Sequence, residues 1–120
     1  MVANRGMYLE ELVNRTANYC FINKIAIIEK REIPIKIIKK INDDTVIGKL
    51  TKKSKLDYFC YVNNKYFEFD AKETNEDVFR ISNIASHQLE YMHSLSTNMI
   101  NSYILIYFNK YSKIYMVGYE

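Results

Sequence analysis

Leu9, Leu12, Val13, Thr16, Ala17 and Cys20 recur at three- and four-residue intervals across residues 7–21. That spacing lines them along one face of a helix. Gly6 interrupts regular structure before it, and Glu10 and Glu11 fall in the first turn, where acids suit the positive end of the helix dipole. From Lys24 onward the period shortens. Residues 25–28 are an apolar run of strand length, and residues 33–39 are β-branched, with Pro34 restricting them to a strand start or an edge. Asn42, Asp43 and Asp44 signal a turn, and Thr45, Val46 and Ile47 continue the pattern beyond it. Residues 56–62 and 66–72 read as two more strands around Asn63 and Asn64, residues that tolerate positive φ and suit a two-residue hairpin loop. Residues 73–77 form a polar loop. Residues 85–99 read as a second helix, with Leu89, Met92, His93 and Leu95 or Ser96 on one side, and residues 102–108 and 113–119 as strands around a turn at 109–112. The order α-β-β-β-β-β-α-β-β predicts a mixed α/β layer fold built on a central sheet.

The 120 residues suit one domain with one core, and only three Gly and one Pro leave little room for flexible linkers. No apolar run approaches the roughly 20 residues of a membrane span. The N-terminus has no apolar stretch of the kind a secretory signal carries. Cys20 and Cys60 are two lone thiols without metal-type spacing, expected as small buried hydrophobes in a reducing, cytoplasmic setting. The net charge is only +3, but ten of the basic residues lie between Lys24 and Lys55, against four acids. A basic segment in a near-neutral chain is the footprint of a phosphate-binding surface, or else a solvated lysine-rich face.

Residues 56–74 carry the candidate chemistry. Side chains alternate along a strand, so Tyr66, Glu68, Asp70 and Lys72 share one face while Phe67, Phe69 and Ala71 share the other. If the Asn63-Asn64 hairpin forms, Asp57 starts the paired strand beside the end that bears Asp70 and Lys72. Two carboxylates and a lysine can act together. Carboxylate oxygens suit Mg²⁺, a hard cation. The cation polarises a phosphate and acidifies water, and the ammonium orients that water or offsets developing charge. The same Asp70–Lys72 pair also reads as a surface ion pair along one strand.

Three segments extend this reading. Asn4, Arg5, Gly6, Met7, Leu9 and Glu10 at the helix start resemble the N-terminal motif of RecU-type Holliday junction resolvases, within the PD-(D/E)XK nuclease class. Asp57-Tyr58 followed by Lys65, Tyr66, Phe69, Asp70, Ala71, Lys72, Glu73 and Thr74 resembles that family's catalytic motif. Asn83, Ile84, His87, Gln88, Leu89, Glu90 and Met92 resemble its third signature. The resemblance runs from about Asn4 to the last strands.

It implies a restriction-endonuclease-like α/β fold, with a mixed central sheet flanked by helices and a projecting basic β arm, the stalk, at about residues 34–55. It implies a homodimer that resolves four-way DNA junctions in recombination and repair, cutting two opposed strands with Mg²⁺, or Mn²⁺. Recombinase or branch-migration proteins are further partners it allows. By the resemblance Asp57 and Asp70 hold metal, Lys72 acts on the attacking water, and Glu10 is an accessory acid. Gln88 supports the site or touches DNA. Arg5, Lys36, Lys39, Lys40, Lys49, Lys52, Lys53 and Lys55 are the candidate DNA contacts. Alternatives within its scope are a nuclease of the same fold acting on other branched or duplex DNA, and an inactive junction-binding protein.

The chain departs from the family in places. Asp70 stands where the family usually has Glu, Ser54-Lys55-Leu56 replaces a Thr-rich lead-in to Asp57, and the stalk is a few residues shorter. His87 and His93 are six residues apart and lack a metal-type partner, so they are expected to be structural or DNA-facing. Most of the eleven Tyr are expected to be half-buried sheet residues.

Overall fold

The computed structural model describes residues 7–51 and 55–119. Helix α1 spans Met7–Ile22. Strands β1 (Ile27–Lys30), β2 (Ile35–Asn42), β3 (Thr45–Leu50), β4 (Tyr58–Val62) and β5 (Lys65–Thr74) follow it. After a short 3-10 turn at Ile81–Asn83 come helix α2 (Ser86–Thr97) and strands β6 (Asn101–Phe108) and β7 (Lys113–Gly118). The element order is the one the hydrophobic pattern predicts.

Five strands form one mixed sheet in the order β1-β4-β5-β6-β7. All pairings are antiparallel except β5 with β6, the parallel pair that α2 connects. Alternation along the strands sends two sets of side chains to opposite faces. On one face Leu9 and Val13 of α1 are buried with Tyr58, Cys60, Phe69 and Ala71. On the other, Met92 of α2 is buried with Leu56, Ile104 and Ile106. The sheet is therefore a middle layer between two helices. Strands β2 and β3 stay outside it as a separate two-stranded arm whose residues are all exposed.

Both helices end in the same way, and neither end uses glycine. Lys24 has φ 58°, Ile25 N–H donates to Cys20 O at 2.8 Å, and Lys24 N–H donates to Phe21 O at 3.2 Å. Met99 has φ 63°, with Ile100 N–H on Leu95 O at 2.9 Å and Met99 N–H on Ser96 O at 3.0 Å. Each is a Schellman closure with a left-handed residue just past the helix. The first shifts the start of β1 to Ile27, two residues later than the apolar run at 25–28 implies. The Asn63-Asn64 turn forms as expected, with φ of 50° and 65° that match a type I′ hairpin.

Two elements differ from the sequence expectation. Strand β5 continues through Glu73 and Thr74, both buried, where a polar loop was expected. The extension is held by pairing of Glu73 with Tyr107 and of Thr74 with Phe108 on β6. In α2 the buried residues are Gln88, Met92 and Leu95, while His93 is exposed with Nδ1 3.1 Å from Tyr119 Oη. The inward face is thus rotated toward Gln88, whose amide has a partner inside the site.

Candidate active site

The register places the two acids. Tyr58 pairs with Phe69, and one step further Asp57 faces Asp70 across the β4–β5 ladder. Asp57 N–H donates to Asp70 Oδ1 at 2.8 Å. Lys72, two residues on and on the same face, sets Nζ 2.9 Å from Asp70 Oδ2. Asp70 is only 1% exposed, so a buried carboxylate carries one main-chain donor and one ammonium. Gln88 of α2 completes the lysine's shell, its Oε1 accepting from Lys72 Nζ at 3.0 Å. Strand alternation puts Asp70 and Lys72 side by side, and the fold adds Gln88 to them from the helix above.

Glu10 arrives from the other layer. It projects from the first turn of α1, and Lys30 Nζ lies 3.1 Å from its Oε1. Glu10, Asp57, Asp70, Ala71, Lys72, Glu73, Phe79 and Asn83 line one open cleft of about 370 Å³. The helix start is fixed by a residue the sequence pattern assigned to a loop. Leu9 N–H donates to Glu73 Oε2 at 2.7 Å, and Asn109 Nδ2 reaches Glu73 Oε1 at 3.3 Å. A buried carboxylate on β5 thus satisfies an orphan N–H in the first turn of α1, next to Glu10. The signal in the sequence was an acid directly after Lys72. It could not be separated from loop polarity without knowing that β5 ran on.

Behind the acids stands a second polar cluster. Glu68, 3% exposed, pairs with Arg31 and accepts from Tyr66 Oη at 2.6 Å and from Tyr91 Oη at 2.8 Å. Burial alone would lower the Arg31 pKa, but the hydrogen bond and charge of Glu68, aided by Tyr91 and Tyr66, hold it above its ordinary value. Burial, then the Glu68 hydrogen bond and charge, push the Tyr66 phenol up and the Tyr91 phenol up to about 12. Burial, then the charges of Glu10, Asp57 and Asp70, push Tyr58 up to about 12. The Tyr58 hydroxyl has no hydrogen-bond partner among the described residues, and it feels three of the four carboxylates that line the cleft.

The chemistry of these donors suits a hard divalent cation. Among the described residues no three His, Cys, Asp or Glu side chains converge closely enough to cage a metal ion by themselves. Mg²⁺ does not require such a cage, since it commonly binds through one or two carboxylates and keeps several waters. Asp57 and Asp70, adjacent in register and open to a cleft, fit that requirement.

Of the candidate DNA contacts, Lys36, Lys39, Lys40 and Lys49 are exposed on the arm, and Lys55 is exposed where the chain returns to the sheet. Lys36 and Lys49 face each other across the β2–β3 ladder. Like charges directly opposite are unfavourable unless an anion lies between or beside them. Gln88 is buried, with its Oε1 on Lys72 Nζ. Arg5, Lys52 and Lys53 lie outside the described residues.

A five-stranded mixed sheet between two helices, with two acids and a lysine at one end of its β4–β5 hairpin, is a restriction-endonuclease-like arrangement. The chain belongs to the RecU family, described as Recombination protein U, whose profile matches residues 4–120. A relative from Ureaplasma parvum serovar 3, described as Holliday junction resolvase RecU, is 34% identical over 117 residues, which cover 98% of this chain and 68% of the relative. Relatives from Oenococcus oeni and Bacillus cytotoxicus, described in the same words, are 31% and 33% identical. Those matches cover 93% and 95% of this chain and 60% of each relative. The chain thus spans about 60–68% of the length of these relatives.

Proposed function

We propose that this protein is a metal-dependent endonuclease that resolves four-way DNA junctions. The observation that carries the reading is the contact set at Asp70: Asp57 opposite it in register, Lys72 Nζ 2.9 Å away, and Glu10 on the same cleft. Family membership and the resolvase description of its relatives support the substrate class.

Asp57 and Asp70 would hold Mg²⁺ or Mn²⁺, which when bound supplies positive charge at the scissile phosphate and acidifies water. The residues of the chain do the rest. Lys72, steadied by Asp70 and Gln88, offers an ammonium that orients the attacking water and offsets charge developing on the phosphate. Glu10, tied to Lys30 and seated by Glu73, stands across the cleft as an acceptor for the water's proton. The basic arm supplies phosphate contacts through Lys36, Lys39, Lys40 and Lys49, which favour a substrate that reaches beyond the cleft.

Paired cuts in two symmetry-related strands are simplest with two copies of one site across a two-fold axis, so a homodimer is part of the reading. Exposed apolar residues support it, including Ile35, Ile37 and Ile38 on the arm and Tyr115, Met116 and Val117 on β7. A lone chain seldom leaves that much apolar surface open.

The test is a synthetic four-way junction incubated with the protein and Mg²⁺ beside a linear duplex of the same sequence. The reading predicts paired nicks in opposed junction strands, abolished by chelation, with the duplex left largely intact. Equal cleavage of both would favour a nuclease without junction selectivity. Tight junction binding with no cleavage in Mg²⁺ or Mn²⁺ would contradict the enzymatic reading.

A further inference from the structure

Arg31 stands where the sheet ends and the arm begins. It follows the last residue of β1, and the arm returns to the sheet at Leu56 and Asp57, just before β4. Arg31 bonds both of those returning residues. Its main-chain N–H donates to Asp57 O at 2.7 Å, which extends the β1–β4 ladder by one step. Its Nε donates to Leu56 O at 3.0 Å. The far side of the guanidinium is anchored by Glu68 and by Tyr91 Oη at 3.2 Å, and its plane lies over Phe59 at 5.3 Å. Glu68 is in turn held by Tyr66 and Tyr91. Arg31 therefore closes the two feet of the arm against each other, its main chain on Asp57, a candidate metal ligand, and its side chain on Leu56, the residue before it.

The main chain at Asp57 has little freedom left. Its N–H is given to Asp70, its carbonyl is taken by Arg31, and the carbonyl before it is taken by Arg31 as well. The side-chain half of that grip depends on the guanidinium fork. Lysine carries its three N–H donors on a single nitrogen and cannot span Leu56 O and Glu68 as the fork does. Displacing reacting groups by about 1 Å can cost on the order of 100-fold in rate.

We propose that Arg31, anchored by Glu68, is a positioning residue that sets Asp57 in the cleft and couples it to the root of the arm. The proposal rests on the nuclease reading only for its kinetic consequence. Its structural part concerns Asp57 whatever the protein cleaves.

Arg31→Lys and Glu68→Gln, each checked for fold by circular dichroism, are compared with the unaltered protein in three measurements. Amide exchange at Asp57 reads the Leu56–Asp57 peptide plane, whose carbonyl Arg31 Nε holds and whose N–H is given to Asp70. Direct titration with Mn²⁺ in the absence of DNA reads the assembled site. Single-turnover junction cleavage beside junction affinity separates rate from binding. The expected result is Asp57 amide exchange faster by about 10-fold or more, with amides in the middle of β5 and β6 unchanged. Mn²⁺ binding should weaken several-fold and the cleavage rate fall on the order of 10- to 100-fold, with junction affinity within about two-fold. Unchanged Asp57 exchange and unchanged Mn²⁺ binding in a folded Arg31→Lys protein would overturn the proposal, even if its melting temperature fell. If Arg31→Lys fails to fold, Tyr91→Phe takes its place, removing the hydroxyl that touches both Arg31 and Glu68. Normal cleavage by Asp57→Asn would instead overturn the placing of Asp57 in the catalytic site, while amide exchange would still report on the clamp.

Discussion

Tyr58 shows how much a single side chain adds to the account. It is 1% exposed, stacks on Phe69 with ring centroids 4.9 Å apart, and carries a hydroxyl with no hydrogen-bond partner among the described residues. Tyr58 and Tyr91 are held up to about 12 against an ordinary 10.0, and Tyr66 is also raised, in each case first by burial. The sign of the resulting pH dependence follows from the neutral phenol being the favoured folded form. Below the unfolded value both states keep the proton, and stability is unaffected. Between about pH 10 and 12 the unfolded chain releases protons that the folded chain retains, so stability is lost as pH rises through that window. Thermal melts should therefore decline steeply above about pH 10. Tyr58→Phe should melt at the same temperature or higher at neutral pH and lose less in alkali, because it deletes an unsatisfied hydroxyl and keeps the ring. A lower melting temperature at neutral pH would show that the hydroxyl is bonded after all. Alternation made Asp70 and Lys72 neighbours from the sequence alone. It also put Glu68 on their face, but the partner that gives Glu68 meaning, Arg31, lies 37 residues away and is joined only by tertiary packing.

The helix ends are where the elements were least legible. A glycine normally announces the left-handed residue that closes a helix, and here Lys24 and Met99 take that conformation. A non-glycine residue in that region costs about 1 kcal/mol. Met99 is 90% exposed and packs on little, so Met99→Gly removes the strain at small cost in contacts. It should raise stability by about 0.5–1 kcal/mol in chemical denaturation, and Met99→Ala should not. A gain from alanine, or none from glycine, would show that backbone strain is not what limits this end of α2. The β4–β5 hairpin was readable because Asn63 and Asn64 are residues that type I′ turns select. The extension of β5 through Glu73 was not readable. Its burial depends on the N-terminus of α1 being brought over the strand from 64 residues away.

At the scale of the whole molecule, a three-layer body carries the cleft and an exposed arm carries much of the positive charge. An isolated two-stranded hairpin is marginally stable in water. This one places Lys36 opposite Lys49, an arrangement that favours an anionic partner. Replacing both with alanine should reduce the slope of log affinity against log salt by about 2 for junction DNA, with no loss of folding stability. An unchanged slope would remove the arm from the DNA contacts. The central sheet and the arm were both visible in the hydrophobic pattern, and the alternation survives in the structure on β6 and along most of β4. The joining of arm to site was not, because it runs through Arg31, which composition groups with the other basic residues of the segment.

The central claim is that Asp57, Asp70 and Lys72 form one working site. Single-turnover cleavage of a synthetic four-way junction in Mg²⁺ by the unaltered protein, Asp57→Asn and Lys72→Ala tests it most directly. The account predicts that both variants bind the junction yet cut it at least about 100-fold more slowly, with Mn²⁺ restoring little. Cleavage at the same rate by all three proteins would contradict it.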